Sequence, residues 1–244
     1  MVKMLVWLGC LFAGGALAAP IKLQVQDYPP YIDQQAAKQG LITTLVAEAF
    51  ARQGVASTVK FSDWGQAERA VDEQKSFSFM WNKSKPLMKK WFYSEVIYRQ
   101  SKQFLARGSF KHNLQHLHNL RGISIGMVKG RTYGEDIETF RRKLTIREHG
   151  SDYVNVKSLL AKQQQLAVVD PIIAVYLTSN FFAPSQKQQL KLIPSDFFNQ
   201  QSYYLVCAKN YGNCLNYIKK FNKGLQLLNQ DGTSAAIFKS AGRL

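Results

Sequence analysis

Residues 122–134, GISIGMVKGRTYG, carry the pattern that decides the fold. Ile123, Ile125 and Met127 alternate with small or polar residues, which predicts a half-buried strand. Gly130 to Gly134 predicts a tight turn, and the polar segment that follows predicts a helix with one apolar side. Strand, glycine turn and helix in this order are typical of an α/β protein with a largely parallel sheet.

The same order extends from this stretch in both directions along the chain. Further strands are predicted on the carboxyl side over 144–148, 166–169 and 190–193, and helices over 135–143, 156–165 and 171–177. On the amino side, strands are predicted over 21–25, 55–61 and 77–81, and helices over 40–54 and 65–74. The sequence therefore predicts two α/β units of similar size.

The last part of the chain is predicted to complete the first unit. After the apolar run 203–207, one helix carries an apolar stripe, and Asp231-Gly232-Thr233 opens a final helix. The stripe consists of Leu215, Ile218, Phe221, Leu225 and Leu228. We predict one lobe from 19–105 with 204–244 and a second from 106–203, with hinge crossovers near 104–107 and 199–203. Ligands of such sheets bind beyond the carboxyl ends of the strands, in the cleft between the lobes.

The first 18 residues differ from the rest. Lys3 supplies a positive charge, an apolar run follows to Ala13, and Ala16-Leu17-Ala18 has the small residues of a cleavage site. This pattern predicts a secretory signal peptide over 1–18 and a periplasmic protein. An uncleaved membrane anchor is the alternative, although the apolar run is short for a membrane span.

Composition excludes several classes of protein. The mean hydropathy of −0.22 and the single early apolar run exclude a polytopic membrane protein. The formal charge of +16 favours anionic surroundings, but the chain has no zinc-finger spacing or basic-region helix, so we expect no nucleic acid partner. In an oxidising compartment, Cys207 and Cys214 are expected to form a disulfide.

Several short motifs in a fixed order resemble the family 3 extracellular solute-binding proteins. They are Asp27-Tyr28-Pro29-Pro30-Tyr31, Gly40-Leu41, Trp64 with Arg69, Trp91-Phe92-Tyr93-Ser94, 122–134, Ala167-Val168-Val169-Asp170 and Asp231-Gly232-Thr233. The resemblance implies the type II periplasmic-binding-protein fold. It also implies a monomeric receptor that holds a small polar solute between its lobes and delivers it to the membrane permease of an ABC importer. It implies neither catalysis, nor a cofactor, nor a metal.

Four places carry the expected ligand site, and each has a simpler structural alternative. The resemblance places Tyr28 and Tyr31 against the ligand, although they could form a proline-stiffened surface turn. Trp64 and Trp81 are expected to face the cleft, or else to pack in the lobe. The turn with Arg131, Thr132 and Tyr133 is expected to bind an anion through backbone N–H groups and the following helix, or to be a plain capped turn. Asp170 corresponds to the family's acceptor for a ligand ammonium, and it is also placed to cap a helix.

One departure from the family pattern makes an ordinary α-amino acid doubtful as the ligand. Where these receptors carry Thr-x-x-Arg, with the arginine on the ligand carboxylate, this chain reads Ser84-Lys85-Pro86-Leu87. A hydrogen bond to a charged group contributes roughly 1.5–3 kcal/mol. Lys83, Lys85 or Arg131 could substitute, but a lysine cannot form the bidentate contact of an arginine. The identity of the ligand therefore stays open.

Two other classes of function remain as alternatives. An enzyme on the same fold, of the dehydratase or peptidoglycan lyase type, would need a base in the cleft, and Glu95 and Glu135 are conceivable. A sensor or regulatory module would have the same fold and a different membrane partner. His112, His116 and His118 cluster in sequence, with the first two expected on one helix face, but their spacing offers no third metal ligand on that face.

Overall fold

The computed structural model describes residues 19–242, and the predicted signal peptide over 1–18 lies outside them. The first lobe is built on six strands: β1 (Ile21–Val25), β2 (Ser57–Phe61), β3 (Ser78–Trp81), β4 (Trp91–Tyr93), β5 (Tyr98–Gln100) and β11 (Gln201–Ala208). β1 pairs in parallel with β2 and bridges in parallel to Phe77, directly before β3. β11 runs antiparallel to β3, β4 and β5.

The second lobe contains a five-stranded sheet in the order β10-β6-β9-β7-β8. Its strands are β6 (Gln103–Arg107), β7 (Ser124–Val128), β8 (Thr145–His149), β9 (Leu166–Val169) and β10 (Leu190–Ile193). β7 lies in parallel between β8 and β9, and β6 runs antiparallel to β9. β10 pairs antiparallel with β6 and therefore runs in the same direction as the other three strands. The predicted α/β class with mixed, mainly parallel sheets is confirmed.

Helices connect the strands of both lobes. The first lobe has α1 (Leu41–Ala51), α2 (Trp64–Asp72), α3 (Lys85–Lys90), α8 (Cys214–Gln230) and α9 (Thr233–Lys239). The second has α4 (Glu135–Phe140), α5 (Asp152–Leu160), α6 (Pro171–Phe181) and α7 (Pro184–Lys187). No helix between residues 19 and 242 is long and apolar enough to span a membrane.

The chain changes lobe twice, and neither change falls quite where the sequence predicts a crossover. It leaves β5 after Gln100 and enters β6 at Gln103, so that 104–107 lies wholly in β6. It returns between Ile193 and Gln201. At the first change two strands follow each other with no glycine or proline between them, so no break in the sequence marks it.

Two helices differ from their predicted positions for local reasons. α5 begins at Asp152 and not at 156, because the hydroxyl of Ser151 accepts the backbone N–H of Val154 and caps the helix there. In α8, Leu215 is 46% exposed and so stands outside the predicted stripe, while Cys214 faces the core.

The predicted disulfide between Cys207 and Cys214 is present and joins β11 to the start of α8. In the chain-entropy account, closing so short a loop contributes roughly 2.5 kcal/mol.

The tightest helix contact lies between α1 and α8. Gly224 of α8 sits so close to α1 that a Cβ atom there would overlap the carbonyl oxygen of Ala49. Phe50 and Phe221, whose ring centroids are 5.2 Å apart, pack beside this contact. The absence of a side chain at Gly224 therefore sets the distance between the two helices.

Candidate functional site

Two adjoining cavities lie where the lobes meet, with volumes of about 240 and 390 Å³. They share four lining residues: Gln100, Lys102, Thr132 and Gln201. The smaller cavity is completed by Tyr28, Gly130, Arg131 and Tyr203. The larger is completed by Tyr133, Gly134, Glu135, Glu138 and Asn199. Both lobes and both connections between them thus contribute to one polar cleft.

The floor of the cleft is formed by the paired hinge strands β5 and β11. Gln100 and Gln201 face each other in the antiparallel register. The hydroxyl of Tyr203 lies 3.1 Å from the side-chain amide oxygens of both glutamines. Nε2 of Gln100 in turn donates to the hydroxyl of Tyr28 at 3.5 Å. This network links both hinge strands to the loop that follows β1.

Lys102 follows β5 and faces both cavities. The residue is 8% exposed, and within residues 19–242 its side chain forms no ion pair or hydrogen bond. Burial lowers the pKa of Lys102, and the carboxylate of Asp170 opposes this only in part. A lysine that is largely buried and has no partner in the fold is unusual, because removing a charge from water is costly, and its ammonium group meets the cleft cavities.

The turn after β7 brings Arg131 and Thr132 to the cleft. Nη1 of Arg131 donates to Oδ2 of Asp152 at 2.7 Å. Burial acts to lower the pKa of Arg131, but the Asp152 carboxylate and the Tyr28 hydroxyl together raise it above its usual value. The hydroxyl of Tyr133 accepts the N–H of Val128 at 2.6 Å, so its buried ring fixes the turn to the end of β7.

The helix after this turn does not offer the anion site that the sequence suggests. α4 has only six residues, and its first turn carries Glu135, Asp136 and Glu138. Oε1 of Glu138 accepts the backbone N–H of Tyr133 at 3.3 Å. Carboxylates of the chain itself therefore surround the start of α4 and would repel an anion placed there.

Asp170 lies between β9 and α6 and is 0% exposed. Its Oδ1 caps α6 by accepting the N–H groups of Ile172 and Ile173 at 2.9 and 3.1 Å. The same atom accepts the Tyr31 hydroxyl at 2.6 Å, and Oδ2 accepts the Tyr98 hydroxyl at 3.4 Å. Asp170 is therefore a helix cap that also joins the second lobe to two tyrosines of the first.

Gly40 holds the loop that presents Tyr31. Its φ of 100° lies in the region that favours glycine, and a Cβ atom there would come within 2.6 Å of the Tyr31 carbonyl oxygen. Tyr31 also packs between two other rings, with centroids 5.6 Å from Tyr28 and 4.9 Å from Tyr98. Of these three tyrosines, only Tyr28 lines a cavity between the lobes.

Trp64 and Trp81 pack in the first lobe instead of lining the cleft cavities. Their rings meet edge to face with centroids 5.3 Å apart, and Trp81 meets Trp91 in the same way at 5.1 Å. Nε1 of Trp81 donates to the hydroxyl of Ser78 at 2.7 Å. Leu87, at the place of the missing arginine, packs in the same group of rings.

Of the residues predicted for the ligand site, the structure brings four together at the cleft cavities: Tyr28, Arg131, Thr132 and Tyr133. Sequence reasoning missed Gln100, Lys102, Gln201 and Tyr203, which all belong to the hinge segments. A signal was present, because Tyr98, Gln100 and Lys102 alternate with other residues and thus share a face of an extended segment. Lys83 and Lys85 line neither cavity, and Lys83 lies over the ring of Tyr204.

Residues considered for catalysis or metal binding are mostly elsewhere. Glu95 lies on the outer surface with Arg99 and Asn222, whereas Glu135 does line the larger cavity. His112 and His116 do not share a helix, because the chain is irregular there until a 3-10 turn over Leu117–Leu120. Among the described residues, no group of three potential ligands could hold a metal ion.

The stability of the fold should fall above about pH 10, the ordinary pKa of tyrosine. Burial, reinforced by Asp170, raises the pKa of both Tyr31 and Tyr98. Both remain protonated in the folded state at a pH where the unfolded chain has lost those protons, so alkali favours unfolding. We expect about 1.4 kcal/mol to be lost at pH 11 for each such tyrosine.

Urea unfolding of the wild type and of Tyr31→Phe at pH 8 and pH 11 checks this expectation. The variant lacks one of the tyrosines whose pKa is raised, so its free energy of unfolding should fall less between the two pH values than that of the wild type. Equal losses in both proteins would contradict the role given to Tyr31.

Comparison with known proteins gives matches at the level of structure alone. No protein-family model and no curated protein matches the chain. Substrate-binding domain 2 of GlnP from Lactococcus lactis, in an open conformation, is 16% identical, with a TM-score of 0.72. That match covers 92% of this chain and 97% of the other.

Two further solved structures show the range of proteins with this architecture. The arginine-, lysine-, histidine-binding protein ArtJ from Geobacillus stearothermophilus is 16% identical over 91% of this chain and 94% of its own, with a TM-score of 0.60. A histidine kinase sensor domain similar to periplasmic binding proteins is 17% identical, with a TM-score of 0.62, and the match covers 92% of this chain and 97% of that domain. The chain therefore has the type II periplasmic-binding-protein fold.

Proposed function

We propose that this chain is a periplasmic solute-binding protein that holds a small polar solute between its lobes and delivers it to the permease of an ABC importer. The observation that carries this proposal is the pair of adjoining polar cavities at the hinge, lined from both lobes. In this fold, the hinge strands β5 and β11 allow the lobes to close on a ligand. Substrate-binding proteins of amino acid ABC transporters are among the structural neighbours, which supports the transport role.

Contacts to the solute are proposed for Tyr28, Arg131 and Thr132, which line the smaller cavity. Tyr31 and Asp170 are proposed to hold the lobes together in the closed state, because their hydrogen bond joins one lobe to the other. Trp64 and Trp81 are not part of the proposed site, because their rings pack on each other. Export by a signal peptide and a monomeric state remain part of the proposal.

A non-catalytic role fits the side chains of the cleft better than an enzyme does. Glu135 is the conceivable base that lines a cavity, and it is exposed at the start of α4. A catalytic base generally needs an environment that brings its pKa near the working pH, such as burial or a charged neighbour. We therefore propose that the solute is released unchanged.

A sensory role is the second candidate, and one observation favours it. A histidine kinase sensor domain is among the structures that share the fold over nearly the whole chain. Capture of the membrane partner from detergent extracts would separate the two roles, since one predicts a permease and the other a signalling protein.

Screening the purified chain by thermal shift tests the proposed function. A solute that binds only the folded state raises its melting temperature, by an amount that grows with concentration above Kd. We expect at least one hit among amino acids, organic acids, amines and neutral sugars, recovered chemically unchanged after incubation. Conversion of that compound to a product would instead support the enzyme.

A further inference from the structure

Lys102 is a positive charge that the fold buries at the cleft and does not neutralise. It is more than nine-tenths buried, lines both cavities and has no hydrogen-bond or ion-pair partner in the described part of the chain. The charged groups that act on it most strongly are Asp170, Arg131 and Asp152. Asp170 is hydrogen-bonded to other groups and Asp152 is paired with Arg131, so neither forms an ion pair with Lys102.

The smaller cavity offers cations and no carboxylate to a ligand. Its charged lining residues are Lys102 and Arg131. Asp152 is paired with Arg131, and its second oxygen, although unpartnered, is buried in a residue that lines neither cavity. Asp170 is fully buried, with two N–H groups and two hydroxyls on its oxygens. An ammonium group placed in the smaller cavity would therefore meet two positive charges and find no free acceptor of opposite charge.

Carboxylates that do line the cleft belong to the larger cavity. Glu138 is paired with Arg141, and Glu135 is exposed. The charge of the cleft is thus divided, with the cations at the hinge side and the acidic residues around the start of α4. A solute that spans both cavities would place its acid group at Lys102 and a neutral or weakly basic polar end near Asn199.

On the basis of the proposed function, we propose that the solute is a small organic anion whose acid group pairs with the Lys102 ammonium in the smaller cavity. The Thr132 hydroxyl and the free edge of the Arg131 guanidinium would provide further donors to the same oxygens. An α-amino acid is a poor ligand here, because its ammonium lies next to its carboxylate and would share the cavity with both cations. The missing arginine at Leu87 agrees with this, since Lys102 supplies the counter-charge from the hinge.

Titration calorimetry with matched compounds tests the assignment. The probes are the anions butanoate, 4-hydroxybutanoate and glycerol 3-phosphate, the α-amino acids 2-aminobutanoate and homoserine that match the two carboxylates, and the matched neutral compounds butanamide, 4-hydroxybutanamide and glycerol. We expect binding by an anion of the first group, with at least tenfold weaker binding by its matched neutral compound and, for a carboxylate, by its matched amino acid. The carboxylates and the phosphate ester distinguish the two kinds of acid group.

Variants of Lys102 decide whether this side chain is the counter-ion. Lys102→Met should weaken binding of the anion at least tenfold, Lys102→Arg should keep most of the affinity, and the exposed control Lys219→Met should stay within about twofold of wild type. Without ligand, Lys102→Met should melt at or above the wild-type temperature, because a buried unpaired charge has been removed. If it does not fold, Lys102→Gln replaces it in the same measurement.

The outcomes separate this inference from the proposed function. Unchanged anion affinity in a folded Lys102→Met protein, or tighter binding of amino acids than of their matched acids, would overturn the anion assignment and leave a solute-binding protein. The absence of any binding in the wider thermal screen would reject the solute-binding function itself and the anion assignment with it.

Discussion

Asp170→Ala is expected to lower the free energy of unfolding by about 3 kcal/mol, the sum of a lost helix cap and one buried hydroxyl left without an acceptor. The cap on α6 contributes about 1 kcal/mol in comparable helices. The Tyr31 and Tyr98 hydroxyls lie 2.8 Å apart, so without Asp170 one of them can still donate to the other. The second hydroxyl then has no acceptor, and a buried donor without an acceptor costs about 1–3 kcal/mol.

Chemical denaturation of three variants measures this effect. Asp170→Asn keeps an oxygen that can cap α6, so it should lose clearly less than Asp170→Ala. Asp196→Ala removes an exposed carboxylate in the segment between β10 and β11 and should change stability by less than about 0.5 kcal/mol. A loss of about 1 kcal/mol or less for Asp170→Ala, which the helix cap alone explains, would contradict the contacts across the lobes.

Gly224→Ala is the second large expected effect and concerns the packing of the first lobe. The new Cβ atom would overlap the carbonyl oxygen of Ala49, which belongs to the backbone of α1 and cannot rotate away. The two helices must separate, which opens the packing around Phe50 and Phe221. We expect a loss of about 3 kcal/mol, even though alanine is the better helix former by roughly 1 kcal/mol.

Gly212→Ala is the matched control for this substitution. Gly212 precedes α8, and a Cβ atom there would have no neighbour within 4 Å. Its substitution should leave the urea midpoint unchanged or slightly raised, because alanine restricts the unfolded chain. Similar losses for the two glycines would show that the close approach of α1 and α8 is not what Gly224 provides.

The sequence predicts the regular parts of the fold well, because long periodic segments carry their own signal. The strands β9 and β10 have the predicted bounds, and α1 ends near the predicted glycine. The strands β4 and β5 have three residues each, too few to show a period of two. Their place depends on pairing with β11, more than 100 residues away in the chain.

The candidate site is less predictable than the fold, for two physical reasons. First, the sequence around Trp64 and Trp81 is compatible both with contact to a ligand and with packing of the two rings on each other, since an aromatic residue near the end of a strand fits either place. Asp170 shows both roles in its sequence, but its contact with Tyr31 joins residues 139 apart. Lys102 was missed because its alternation with Tyr98 and Gln100 is too short a pattern to stand out in a basic chain.

Hydrogen exchange with and without the strongest binder from the thermal screen tests the central claim most directly. A solute held between the lobes should slow amide exchange in both hinge segments, around Gln100 and Gln201, and in the turn at Thr132. These three segments come from different parts of the chain and meet only at the cleft. Slower exchange confined to one lobe, or to the separate cavity beside α6 and α9, would contradict the account.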